Sequence, residues 1–366
     1  MRRSCLLSTS VRVGQADSLP SRRPPACATL AENTLPYLRD IVLSLALGIG
    51  LLTYIPSASG QTQYRRFTRT PYYNGPNDPE RGKIRGTLKL GETVVIDMPG
   101  DTGDTDLKPG VVPDPNVTPP RGSRPGGPFE IEGIKPRDWV AIKIIDVVPG
   151  PYGYSNIHSP VRGPMRVLTP IKDGMAHFPP DFVVPIRPTI GVIQLQTAAA
   201  IPLGIGDSGG NLDFNSVRPG STVYIRAQRY GGMLTIGDAH AYMGNGELTG
   251  TGVEIDVTVT LKVDRAPDFP NGGVVVETAD SWYTAGIGAT WEDAVKVAWA
   301  EMIALVMHLH STTTEHATLL VGTIGDVVPG YAAGTIFHRG FQRPSYITCQ
   351  MSIPKSLRRT GKPFQP

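Results

Sequence analysis

Turn-forming residues interrupt this chain too often for a fold built on long helices. Of 366 residues, 42 are glycine and 35 are proline, and both punctuate regular structure. Between the turns, short runs alternate apolar and polar residues, the period of a half-buried strand. Hydrophobic residues make up 40% of the chain, enough for a sizeable core, and the length suits two domains or one large all-β domain. The expected fold is therefore mainly β, a sandwich or barrel-like arrangement with one or two helices late in the chain. An α+β fold is the alternative. Net charge is only +3, without a dense Lys/Arg patch interleaved with aromatics, so nucleic acid is not an expected partner.

The strand signals come in order. Lys83–Met98 (KIRGTLKLGETVVIDM) reads as a hairpin of two short strands. Phe129–Val148 (FEIEGIKPRDWVAIKIIDVV) reads as a second hairpin with KPRD at its turn. Short strands recur between Met175 and Thr197, which makes His177 a strand residue, whereas His158 falls in a loop-rich stretch. Three further strands are expected at Thr222–Ala227, Met233–Ile236 and Gly252–Val263, then one at Ala317–Thr323 and one around Tyr346–Ile353. The persuasive helix begins at Trp291. Its apolar residues repeat at i, i+3 and i+4 as far as Leu309, Thr290 suits the N-cap, and Asp293 stands three residues on. Its tryptophans are expected in the core.

The N-terminal 60 residues read as a leader rather than folded structure. Six arginines against three acids precede Asp40's neighbour Ile41, where a fifteen-residue apolar run (Ile41–Ile55) begins. That run is short for a membrane span but fits a secretory h-region, and Ser57, Ala58, Ser59 and Gly60 supply a cleavage site. Residues 41–60 are therefore the signal-like segment, with the translation start expected downstream of Met1, near Leu35 to Leu38. Export to the periplasm or medium is expected. A cytoplasmic or organellar location, with the leader as a transit peptide, is the alternative, and an uncleaved segment would make a membrane anchor. Residues 61–82 form a polar arm and 357–366 a basic tail. Cys5 and Cys27 would leave with the leader, so the mature chain would keep Cys349 alone, without an internal disulfide or a cysteine metal site.

Between Gly209 and Glu254, oxygen and nitrogen groups gather on glycine turns: Asn211, Asp213, Asp238, His240, Asn245, Glu247 and Glu254. Such groups suit a divalent metal, because its ligands must converge without bulky neighbours. Asp238 and His240 would face the same side of a strand, either as ligands or as a plain polar face. Asp97, Asp101, Asp104 and Asp106 are read as solvated carboxylates rather than ligands. His308, His310 and His316 are too poorly spaced on a helix for zinc.

Several blocks resemble the acetamidase/formamidase family. GGPFEIEGIKPRDWVAIKIIDV resembles its GP-x-VEG-x-x-PGD-x-L stretch. GGNLD and TIGDAHAYMGNGELTGTGVE resemble its GGN-x-D and GD-x-HA-x-QGDGE-x-x-GTA-E blocks. The helix opening WEDA, then LLVGTIGDV and SIPK, complete a likeness over roughly Arg85 to Lys355, which makes 83–356 the family-like domain. The resemblance implies a metal-dependent hydrolase that cuts small linear amides, formamide or acetamide, to a carboxylate and ammonia. It implies a divalent cofactor, zinc or calcium, held by Asp213, Asp238 and His240. Glu247 becomes the candidate base and Glu254 its substitute, with Asn211 and Asn245 contacting substrate or supporting the ligands. A small amide and further copies of the same chain are the expected partners. The chain departs from the family's pattern at Arg124, Ser208, Met243 and Asn245, where a histidine, a second histidine, a glutamine and an aspartate are usual. An arginine offers a metal no lone pair. A non-catalytic ligand-binding or structural β-protein that keeps the fold is therefore the alternative.

Overall fold

In the run GVEIDVTVTLKV every second residue is apolar, and the strand it forms, β14 (Glu254–Arg265), buries them in strict alternation. This strand is paired along both edges. On one side lies β5 (Trp139–Ser159), on the other β3 (Thr93–Met98). The computed structural model describes residues 63–69, 82–100, 126–159, 163–195, 204–332 and 346–361, with the backbone alone for 156–159 and 163–165. The leader, the cysteines at 5 and 27, Asp101, Asp104, Asp106 and Arg124 lie outside them. So does the side chain of His158. The described residues all belong to a compact unit spanning Gln61–Pro366.

The chain is mostly strand, in one large curled sheet that is antiparallel apart from two short parallel ladders. From β5 the ladder continues to β12 (Thr222–Arg226), β15 (Val275–Glu277), β16 (Ser281–Gly288), β18 (Ile347–Pro354) and β17 (Asp326–Pro329). β5 also pairs with β6 (Gly163–Lys172), which leads into β7 (Met175–Phe178, carrying His177) and β8 (Phe182–Pro185). A second run of strands joins β10 (Ile205–Gly206), β11 (Gly209–Asn211), β9 (Thr189–Leu195), β13 (Leu234–His240) and β4 (Gly126–Ile131). The two runs meet at one register pair, His240 opposite Glu254. That corner places the two signature residues side by side.

The curl explains the burial. All seven residues of β9 are buried, because the sheet folds over both faces of this strand. The main core gathers Phe129, Ile193, Phe214, Ile236 and Ile255 among others, each worth about 1.5–3 kcal/mol when fully buried. A smaller core lies under two helices. α1 (Trp291–His310) turns Ala294, Ala298, Met302, Leu305 and Val306 inward, and Thr290 caps it by accepting from the Asp293 amide. It rests so closely on β16 that a Cβ at Gly286 would overlap the Ala294 carbonyl and sit 2.6 Å from the Ala298 nitrogen. Among the described residues, no helix is long and apolar enough to cross a membrane.

Several local expectations need correction: Trp291 is exposed rather than in the core, and the stretch read as loop-rich around His158 is taken up by β5 and β6. Residues 317–323 belong to a helix, α2 (Thr314–Ile324), capped by Thr313, whose Ala317 and Val321 are buried four residues apart. That spacing is helical, and the β-branched run concealed it. The strands of 83–98, β2 (Gly86–Leu88) and β3, do not pair with each other: β2 runs parallel to β4, and β3 joins β14. Nor do β4 and β5 form a hairpin. The turn between them sends β4 to β13 and β5 to β12 and β14. Within the polar arm, β1 (Arg65–Phe67) adds a parallel strand to β3, anchored by Arg66 on Asp97 at 2.6 Å.

Candidate active site

Four elements bring the site together. β13 carries Asp238 and His240, which face one side, with Nε2 of His240 3.7 Å from Oδ1 of Asp238. β14 begins at Glu254, whose Oε1 lies 3.1 Å from the same nitrogen. The tight turn after Gly244 carries Glu247, where the Glu247 amide donates to the Gly244 carbonyl and Oε1 lies 3.9 Å from Nε2. Asp213 follows β11 and is tied down by its amide donating to Gly191. These five side chains form two overlapping groupings that share His240: Asp213, His240 and Glu247, and Asp238, His240 and Glu254. Within each, the candidate ligand atoms lie within 4.8 Å of one another.

Local backbone is bent to achieve this. Asp213, Asp238 and Glu247 all have positive φ, at 43°, 57° and 42°, a region costly for residues with side chains. Two glycines make the space. A Cβ at Gly191 would overlap Oδ1 of Asp213 and lie 3.0 Å from Oδ2 of Asp238, and one at Gly252 would lie 2.7 Å from the His240 ring. Gly252 also donates its amide to Oε1 of Glu254 at 3.0 Å.

Burial and charge set the proton affinities. Burial pushes the Asp213 carboxyl well above the usual carboxylate range, and the neighbouring Asp238 adds to it. Burial likewise raises Glu247, with Asp213 as its strongest charged neighbour. For His240 burial favours the neutral ring, but Glu254, Asp238 and Glu247 outweigh it and hold the imidazole protonated well above its ordinary value. The cluster thus calls for positive charge at its centre. A divalent cation fits that demand. Oδ1 of Asp213 and both ring nitrogens of His240 are buried without a hydrogen-bond partner, and buried polar atoms are rarely left so. Carboxylate oxygen with one imidazole nitrogen is a donor set that zinc accepts, whereas calcium would take the carboxylate oxygens alone.

The other expected residues fall around this centre. Asn211 donates its side-chain amide to Oδ2 of Asp213. Asn245 is exposed and accepts from Asn215, clear of both groupings. Ser208 is buried, on the turn between β10 and β11. Met243 is buried, and its carbonyl accepts from Arg187 at 3.0 Å. Asp97 pairs with Arg66, and neither it nor His308, His310 or His316 joins a ligand grouping among the described residues. Two residues that sequence reasoning did not single out, Tyr331 and Tyr346, stand about a hundred positions downstream of Asp238, and Tyr331 bridges Gly246, beside Glu247. Their only signal in the sequence is a tyrosine beside turn residues.

The sequence model of the Acetamidase/Formamidase family matches residues 186–269, the span that supplies all five clustered side chains. Among solved structures, an acetamidase from Bacillus halodurans shares 25% identity at a TM-score of 0.64, covering 79% of this chain and 97% of that one. A protein from Thermoanaerobacter tengcongensis described as a predicted acetamidase/formamidase has the same fold, at 22% identity and a TM-score of 0.67 over 80% of this chain and 96% of its own. An acetamidase from Yersinia enterocolitica does too, at 22% identity and 0.67 over 82% and 94%. No curated protein matches the chain. The matched span carries the clustered acids and histidine, and the fold of these solved structures extends over most of the chain. By the matched span and by its fold, the chain is similar to the acetamidase/formamidase family.

Proposed function

We propose that this chain is a metal-dependent amidase that hydrolyses small linear amides of the formamide and acetamide class to a carboxylate and ammonia. One observation carries the reading: four carboxylates converge on one buried imidazole, in a fold that solved acetamidases share. Asp213, Asp238 and His240 would hold the cation, with Glu254 beside His240. When bound, a divalent ion supplies Lewis-acid polarisation of the amide carbonyl and acidifies a water molecule.

The chain's own residues do the rest. Glu247 is buried, which raises its proton affinity, and its Oε1 lies 3.9 Å from Nε2 of His240, where a general base would stand beside the cation. Its carboxylate takes a proton from the attacking water as the C–O bond forms. It then returns that proton to the amide nitrogen as the C–N bond breaks, so the amine leaves as neutral ammonia. Burial keeps bulk water from competing for these transfers. The experiment is direct. Purified protein loaded with zinc or calcium should release ammonia from formamide or acetamide. A protein that binds neither metal and releases no ammonia overturns the reading.

A further inference from the structure

Glu247, the proposed base, sits on a turn with positive φ, at 42°, and Gly246 before it has φ of 98°. A backbone in that region persists only where its surroundings fix it. Backbone amides hold three carbonyls of the turn. The Gly244 carbonyl accepts from the Glu247 amide at 3.1 Å, that of Gly246 from Ala332 at 2.9 Å, and that of Glu247 from Gly250 at 2.8 Å. A fourth hold comes from a side chain. Nη2 of Arg187 donates to the Met243 carbonyl at 3.0 Å, where the turn begins. The arginine is itself anchored. Its amide donates to the Ala241 carbonyl at 2.8 Å, and Pro188 after it restricts its backbone to extended shapes. Its guanidinium carbon lies 5.0 Å from the centre of the Tyr242 ring, within cation–π range. Two residues on, Thr189 stands opposite His240 in the ladder of β9 and β13. Arg187 thus ties the turn bearing Glu247 to the strand pair bearing His240. Because it takes the carbonyl of Met243 rather than the side chain, its hold does not depend on which residue stands there.

We infer that Arg187 is a positioning residue for the amide hydrolysis: through the Met243 carbonyl it holds the turn that aims the Glu247 carboxylate. This rests on the amidase reading, with Glu247 as the base, and deepens it. The head group meets a carbonyl and a ring, not the proposed ligands Asp213, Asp238 and His240, so metal binding does not depend on it. A misplaced base slows proton transfer far more than it weakens substrate binding. Lysine in place of arginine keeps the charge and a donor but loses the planar head that lies over Tyr242.

The test uses the full chain, zinc-loaded for ammonia release from formamide and metal-free for amide hydrogen exchange. Arg187→Met should lower kcat about 10²-fold, with KM and metal content little changed, and Arg187→Lys should recover part of that loss. In a Glu247→Gln background, Arg187→Met should lower kcat little further, because the two residues act as a unit. In the metal-free protein, the Glu247 and Gly250 amides should exchange about tenfold faster in Arg187→Met, while those of β9 stay as they were. Should Arg187→Met fail to fold, Tyr242→Leu loosens the same guanidinium and should shift kcat and exchange in the same directions. Unchanged kcat or unchanged exchange in the folded variant overturns the role of Arg187 and leaves the amidase reading standing. So does an equal fall in kcat with and without the Glu247 carboxylate, or a loss of metal along with activity. A wild type that releases no ammonia overturns the amidase reading, and the role of Arg187 with it.

Discussion

At the scale of single residues, His240 is held by geometry that a substitution of one atom can disturb. Gly191 is the clearest case, since an added Cβ would press on both Asp213 and Asp238. Gly191→Ala is therefore expected to weaken divalent-metal affinity by about 10–100-fold, the usual effect of disturbing the support of a ligand, while the protein stays folded. A metal titration followed by calorimetry checks this. Glu247→Gln separates base from ligand. As the base, its loss should lower kcat by about 10²–10⁴-fold with metal content intact, whereas loss of the metal would make Glu247 a ligand. The residue types at this centre were legible in the sequence, because Asp213, Asp238, His240, Glu247 and Glu254 lie within one short span. Gly191 and the two tyrosines were not. Their proximity arises from β9 pairing with β11 and β13, and from β17 and β18 returning to the site, which local patterning does not encode.

At the scale of elements, α1 was plain from its period and its cap, while α2 was mistaken for a strand. Both helices bury small residues, but α2 does so within eleven residues, too few turns for a clear period. The apparent hairpins failed for a different reason: alternation specifies that a strand exists and which face it buries, not which neighbour it takes. β5 runs for 21 residues and changes partners along its length. The packing of α1 on β16 makes a sharp prediction. Gly286→Ala should cost about 1–3 kcal/mol, as overpacking does, and Thr290→Ala about 1 kcal/mol through the lost cap. Thermal denaturation of each variant beside the wild type measures both, and an unshifted Tm for Gly286→Ala would contradict the close approach.

At the scale of the whole molecule, the buried cluster ties stability to pH and to metal. Asp213 and Glu247 hold protons in the folded state at pH values where the unfolded chain has lost them, and His240 holds its proton above its ordinary value. A group whose folded pKa is raised stabilises the fold below its unfolded pKa and loses that contribution as pH rises through the folded one. All three act with the same sign. The metal-free protein should therefore lose thermal stability as pH climbs above the ordinary carboxylate range, and a bound divalent ion, replacing those protons, should flatten the slope. Melting curves at rising pH, with and without zinc or calcium, check the effect. The central claim is that this curled sheet exists to hold a cation at His240 for amide hydrolysis. Its most direct test is to measure metal content and ammonia release from formamide in the wild type and in His240→Ala. The account predicts bound divalent metal and ammonia in the wild type, with both lost in the variant. Equal metal content in the two proteins, or wild-type protein that binds metal without releasing ammonia from formamide, would contradict it.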